Sequence, residues 1–237
     1  MKKYKIYFLL FIIFSNTLIS QNLADKKVLV VWGGWDGHKP ELFANHVENW
    51  LIKEKADYKI INGLDAYDNY DELIKYDLII QSVTMDEISK EQEENLVKAV
   101  LNGVGIAGAH GGLVDSFRKN TNYQFMIGGQ FVAHPGGMIK HKVKILDDEL
   151  TIGLSDFDIL SEQYYMHYDP SVKIIAETKF GGEVYPWIKD VIMPVAWKKM
   201  YGKGKVFFIS IGHDPDEFMV YKDGWELLTR GFIWAVR

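Results

Sequence analysis

"GIAGAHGG", residues 105–112, reads as a buried strand that runs straight into a pair of glycines. The apolar run Val104 to Ala109 is short enough for a strand in a sheet covered on both faces. Glycines stand two positions either side of His110, at Gly108 and Gly112. That spacing is the signature of a nucleophile elbow, a tight strand-to-helix turn that lifts one side chain into a cleft. An elbow normally carries Ser or Cys. Here it carries an imidazole, and the question is what that ring does.

Outward from the elbow the chain alternates strand and helix. Lys27 to Trp32, Tyr58 to Asn62 and Leu78 to Val83 are β-branched apolar runs that predict strands. Pro40 to Lys55 predicts a helix with Pro in its first turn and Phe43, Val47, Trp50 and Leu51 on one face. Ser89 to Leu101 predicts another, opened by a capping box of Ser89 with Gln92. Such alternation implies βαβ units and a doubly wound, mostly parallel sheet. The second half is richer in strands: Val143 to Leu146, Val172 to Thr178, Met193 to Lys198 and Val206 to Ser210. A closing helix is expected over Glu217 to Val236. No repeat or linker interrupts residues 24–237, which predicts one domain. In open α/β sheets ligands bind beyond the carboxyl ends of the strands. "GGWDGH", His110 and "GHDPDE" all fall at such ends.

Composition narrows the function classes. Net charge is −5 with acids and bases interleaved, which argues against nucleic acid as the main partner, since phosphate binding needs a basic face. "GGWDG" lacks the Lys-Ser/Thr ending of a phosphate loop and the spacing of a dinucleotide fingerprint, so no nucleotide cofactor is expected. Residues 1–20 place Lys2, Lys3 and Lys5 before the apolar run Ile6 to Phe14 and a small polar tail. This is the layout of a secretory signal peptide with cleavage after Ser20, and it predicts a periplasmic or secreted protein. The run is shorter than the about 20 apolar residues of a membrane span, so the protein is not expected to be membrane-integral. The chain has no Cys, hence no lipobox and no disulfide. Aromatic residues make up 14% of the chain, a content that suits sugar clefts as well as large cores.

Five of the seven histidines fall where sites are built. His38 lies in a Gly-rich loop at a strand end, His110 in the elbow, His134 in the turn "FVAHPGG", His167 after "SEQYYM" and His213 after "VFFISI". His46 reads as a helix-flank residue and His141 as a half-exposed strand residue. Imidazoles with a carboxylate such as Glu162 offer two chemistries. One is a divalent metal site, zinc or manganese, with His38, His110, His134 and His213 as ligands. The other is metal-free acid–base work by His110, His213 and Glu162, with Tyr164 or Tyr165 as a proton donor or packing residue. No compact metal motif of the HExxH type is present.

"AGAHGG", "GGQFVAHP", "SEQYY", "MPVAW" and "YGKGKVFFISIGHD" occur in that order. Together they resemble the ThuA-like family, named for trehalose utilisation, over nearly the whole of residues 24–237. The resemblance implies a three-layer fold like that of flavodoxin and the class I glutamine amidotransferases. In those amidotransferases the elbow holds a Cys, and His-Pro-Glu follows a late strand. Here the elbow holds His110 and the late strand leads to His213-Asp214-Pro215, so glutaminase chemistry is not expected. Two positions depart from the family pattern: Glu149-Leu150 where many members have His-Pro, and Ser161 where an acidic residue often precedes the family's Glu.

The resemblance further implies an enzyme of sugar catabolism that works beside a sugar oxidoreductase, on disaccharides whose C3 hydroxyl has become a ketone. That ketone acidifies the C2 hydrogen, so a base with a holder for the enolate oxygen can expel the C1 substituent. The paired carboxylates of ordinary glycosidases are not needed. The alternative is a non-catalytic sugar-binding or accessory module using the same cleft. The sequence leaves oligomeric state open, a homo-oligomer included.

Overall fold

The computed structural model describes residues 23–237. The expected signal peptide lies outside them. In chain order the elements are β1 (Lys27–Gly34), α1 (Pro40–Glu54), β2 (Asp57–Asn62), α2 (Tyr70–Leu73), β3 (Leu78–Thr84), α3 (Lys90–Leu101), β4 (Gly105–Ala109), α4 (Gly111–Val114), α5 (Thr121–Ile127), β5 (Gly129–Ala133), β6 (Met138–Ile145), β7 (Phe157–Glu162), β8 (Tyr165–Tyr168), β9 (Lys173–Lys179), β10 (Ile192–Tyr201), β11 (Gly204–Ile209), α6 (Glu217–Val220) and α7 (Lys222–Ala235).

Nine strands form one sheet in the order β2-β1-β3-β4-β11-β10-β9-β6-β7, and β5 pairs with β8 in a small second sheet. The run β2-β1-β3-β4-β11 is parallel throughout. From β10 onward the sheet is antiparallel. The parallel strands are apolar at successive positions because both faces are covered. Val28 and Val30 face the layer of α1 and α7, with Phe43, Val47, Leu227 and Phe232. Leu29 and Val31 face the opposite layer of α3 and α5, with Leu96, Ala99, Met126 and Ile127. The three layers of the expected α/β sandwich are present, and the Ser89–Gln92 capping box forms as read.

Three sequence expectations change. The closing helix is two helices, α6 and α7, broken at Tyr221. Periodicity runs through the break, but the Glu217 carboxylate accepts from the backbone N–H groups of Gly212 and Asp214 and so anchors the loop below. The strand expected from Val143 starts earlier, at Met138, because Lys140, Lys142 and Lys144 alternate with partly or fully buried residues. His141 is buried on that strand, not half-exposed, and burial lowers its pKa. The short strands β5, β7 and β8 have no counterpart in the sequence reading.

An ion pair fastens the second sheet to the first. Lys199 of β10 donates to Asp169 Oδ2 at 2.8 Å and to the Phe125 carbonyl at 2.7 Å. The Lys199 contact and the backbone N–H of Ser171 hold the Asp169 carboxyl down at about 2. A depressed carboxylate stabilises the fold above its unfolded pKa of about 3.9 and loses that contribution as pH falls towards the folded value. Asp169→Asn is therefore expected to be less stable than wild type at pH 7, with the gap closing between about pH 4 and pH 2. Urea titrations across that range measure it, and a constant gap would refute the linkage.

Candidate active site

The site is assembled at the carboxyl edge of the parallel strands. His38 follows β1, His110 follows β4 and His213 follows β11. His110 is the residue of the elbow, with φ 51° and ψ −142°. A non-glycine residue held there carries backbone strain, which in proteins clusters at functional sites. The flanking glycines make room for the turn: a Cβ at Gly108 would lie 2.5 Å from the Gln81 carbonyl oxygen, and one at Gly112 would lie 2.8 Å from Ser82 Cα. The His110 backbone N–H donates to the Ile209 carbonyl at 2.7 Å, tying the elbow to β11.

The His110 ring is fixed on three sides. Nδ1 lies 2.7 Å from the Ser210 carbonyl oxygen, Nε2 lies 3.1 Å from Glu162 Oε2, and the Tyr164 ring packs on it at 4.1 Å between centroids. A carbonyl oxygen only accepts, so Nδ1 carries the hydrogen and Nε2 is the free position of the neutral ring. His213 Nδ1 approaches the same carboxylate oxygen at 3.3 Å, and this buried nitrogen has no hydrogen-bond partner. His38 Nδ1 lies 3.2 Å from the Thr84 hydroxyl. Its ring meets those of His110 and His213 edge-on, at 4.7 and 5.1 Å. His38, His110, Glu162 and His213 each offer a ligand atom, and the four atoms lie within 4.8 Å of one another.

Glu162 reaches this cluster by an unexpected route. It ends β7, the last strand in the hydrogen-bonded order. The first part of β6 pairs with β7, and only Lys144 and Ile145 pair with β9. The β6–β7 hairpin therefore curls back over the carboxyl edge and sets Glu162 against His110.

The electrostatics are those of a crowded, half-desolvated cluster. Burial, then the neighbouring His110 and His213, push the His38 pKa down to about 3, so its ring is neutral at physiological pH. Burial opposes ionisation of Glu162, but the close approach of the His110 and His213 rings outweighs it and holds the carboxyl well below its usual range. The same contact with Glu162 raises His213 against the effect of its burial. Burial, then the charges of Glu162 and Asp115, keep the Tyr164 hydroxyl protonated.

His134 does not join the four. Its Nε2 stands 3.6 Å from the other oxygen, Glu162 Oε1, and its side chain is exposed at the rim. The carboxylate assigned to catalysis thus stands in the cluster of four where the sequence reading placed this imidazole. His167 is exposed on β8 opposite Gln130 and is not part of the cluster. His46 sits on the α1 flank and pairs with Asp216 at 2.9 Å, while Lys39 pairs with Asp214 at 2.5 Å. These two contacts tie the His38 segment to the His213 loop. Sequence reasoning missed Thr84 and Ser210. Thr84 ends a parallel strand, which was a usable signal; Ser210 acts through its backbone carbonyl, which no side-chain motif reveals.

Comparisons with known proteins agree with this architecture. No curated protein matches the chain in sequence. A ThuA-like protein of Bacteroides uniformis superposes with a TM-score of 0.72 at 18% identity, covering 90% of this chain and 92% of that one. A ThuA-like protein of Parabacteroides merdae gives 0.67 at 14% identity, covering 89% and 90%. A β-galactosidase of Bacillus circulans sp. alkalophilus gives 0.56 at 14% identity, covering 89% of this chain but 31% of that one. The family model described as "Trehalose utilisation" matches residues 27–235, and the chain belongs to this ThuA family.

Proposed function

We propose that this protein cleaves glycosides whose sugar ring carries a ketone at C3, with a divalent metal held by His38, His110, Glu162 and His213. The observation that carries the reading is the fixed His110 ring. With Nδ1–H spent on Ser210, Nε2 faces a carboxylate oxygen at 3.1 Å. Two lone-pair atoms so placed repel unless a proton or a cation lies between them. The unpartnered Nδ1 of His213, aimed at the same oxygen, adds a second donor to that point. Three imidazoles and one carboxylate suit zinc or manganese, and the Nδ1–H···O=C bond is the outer support that ligating imidazoles normally have. A bound divalent ion would supply Lewis-acid stabilisation of negative charge on the ketone oxygen.

His134, exposed at the mouth, is the general base. Taking the C2 proton on this imidazole moves the C2–H pair into a C1–C2 double bond conjugated with the ketone. The C1–O bond breaks, and the departing alkoxide takes a proton to leave as an alcohol. Water then adds back at C1. On the character of residues 1–20 the reaction belongs outside the cytoplasm, where a sugar oxidoreductase would supply the ketone.

Protein carrying about one equivalent of metal is expected to release glucose from 3-ketotrehalose. Chelation is expected to stop the reaction, and Mn²⁺ or Zn²⁺ to restore it. Metal analysis with a glucose-release assay tests both points. Binding of the oxidised sugar without turnover would replace this reading with the accessory binding module. Turnover indifferent to chelation would replace the metal with an imidazolium at His110 or His213.

A further inference from the structure

We infer that Trp35 is the sugar-stacking platform of this site and selects its substrate as a pyranoside. The inference rests on the glycoside reading above. The chain has seven tryptophans. Five of them, Trp32, Trp50, Trp197, Trp225 and Trp234, lie in or against the two main cores. Trp35 belongs to no apolar cluster among the described residues and is 48% exposed. Core packing does not account for an indole at this position.

Its placement is nonetheless built. The Trp35 backbone N–H donates to the Thr84 carbonyl at 2.8 Å, and the Thr84 hydroxyl holds His38. The ring lies against Gly37, where any Cβ would run into the indole. Its centroid is 4.9 Å from that of His38, at 72°. An indole is thus clamped beside a candidate metal ligand with much of its surface open.

A pyranose has a polar rim of hydroxyls and faces rich in C–H groups. The imidazole and carboxylate cluster can serve the reacting oxygens but offers nothing to the C–H face. An indole does, through dispersion and its negative π-face. A ring lying against Gly37 and His38, on a backbone tied to Thr84, loses less freedom when the sugar binds than one on a loose loop. Trp35 is accordingly a specificity residue that acts on affinity and ring orientation, not on proton transfer.

The test uses 3-ketotrehalose for kinetics and trehalose for calorimetric binding, on metal-loaded full-length wild type, Trp35→Ala, Trp35→Phe and Trp187→Ala. Trp187 is 76% exposed, stacks on Tyr185 and serves as the surface control. Trp35→Ala is expected to raise KM and weaken trehalose binding about tenfold. Its kcat and metal content should stay near wild type. Trp35→Phe should recover most of the affinity, and Trp187→Ala should change neither quantity. Unchanged KM and binding in Trp35→Ala would overturn the inference. So would a fall in kcat together with metal loss, which would make Trp35 a prop for His38. If wild type turns over no 3-keto glycoside, the functional reading fails and the calorimetry alone decides the platform. Trehalose binding lost in Trp35→Ala and kept in Trp35→Phe would then sustain it, and no detectable binding to wild type would sink it.

Discussion

His110→Ala is expected to lower turnover of a 3-keto glycoside by at least about 10²–10⁴-fold, the range by which positioned acid–base groups act. Metal affinity should fall by more than the about 10–100-fold typical of losing an outer support. The loss should be one of chemistry and not of folding. The ring is buried at the carboxyl edge of the sheet, where it packs on Tyr164 at the margin of one apolar core. Removing it leaves the Ser210 carbonyl and Glu162 without one partner each, at a cost of about 1–3 kcal/mol for the carbonyl. Alanine keeps the positive φ of the elbow, so the strain is not relieved. Glucose release, metal content and a melting curve together decide the point. Near-wild-type turnover in a folded, metal-loaded variant would reduce His110 to a space-filling ring.

Glu162→Gln is the second large effect, because it keeps the shape and removes the charge. The carboxylate is the one anionic group among three imidazoles, and His110 and His213 both address its Oε2. An amide supplies a neutral oxygen there, and its NH₂ group donates where a cation would sit. Turnover is expected to fall about 10²-fold at limiting metal. Part of it should return with excess Mn²⁺, since mass action offsets weakened binding. Titration calorimetry with Mn²⁺ on both proteins measures the change. Equal affinity would take Glu162 out of the ligand set and leave three imidazoles. Loss of turnover with unchanged affinity would instead make the carboxylate a proton carrier.

The two variants differ in how much of their rationale is written in the sequence. His110 is legible because Gly108 and Gly112 bracket it at elbow spacing, and the turn follows from local sterics alone. His38 and His213 are legible because each follows an apolar strand, and parallel strands of one sheet share a carboxyl edge. Glu162 was named from its neighbours in "SEQYY", but nothing local says that β7 folds back over the sheet. His134 and His167 look alike in sequence, each in a segment read as turn or loop rather than strand. The structure leaves one at the rim of the cluster and the other exposed on β8, outside it.

The sequence by itself determined the layered α/β fold and the strained turn, and its candidates included all four converging groups, His38, His110, Glu162 and His213. Hydrophobic period, capping residues and glycine spacing act over a few neighbours and can be read along the chain. Only the tertiary structure decided that Glu162 and not His134 completes the cluster, that Ser210 fixes the His110 tautomer, and that Trp35 stands open beside His38. Those outcomes depend on the curl of the β6–β7 hairpin, on a backbone carbonyl and on a ring lying over Gly37. The hairpin's path and the Ser210 contact join segments tens of residues apart, and the exposure of Trp35 is set by what the rest of the fold leaves uncovered.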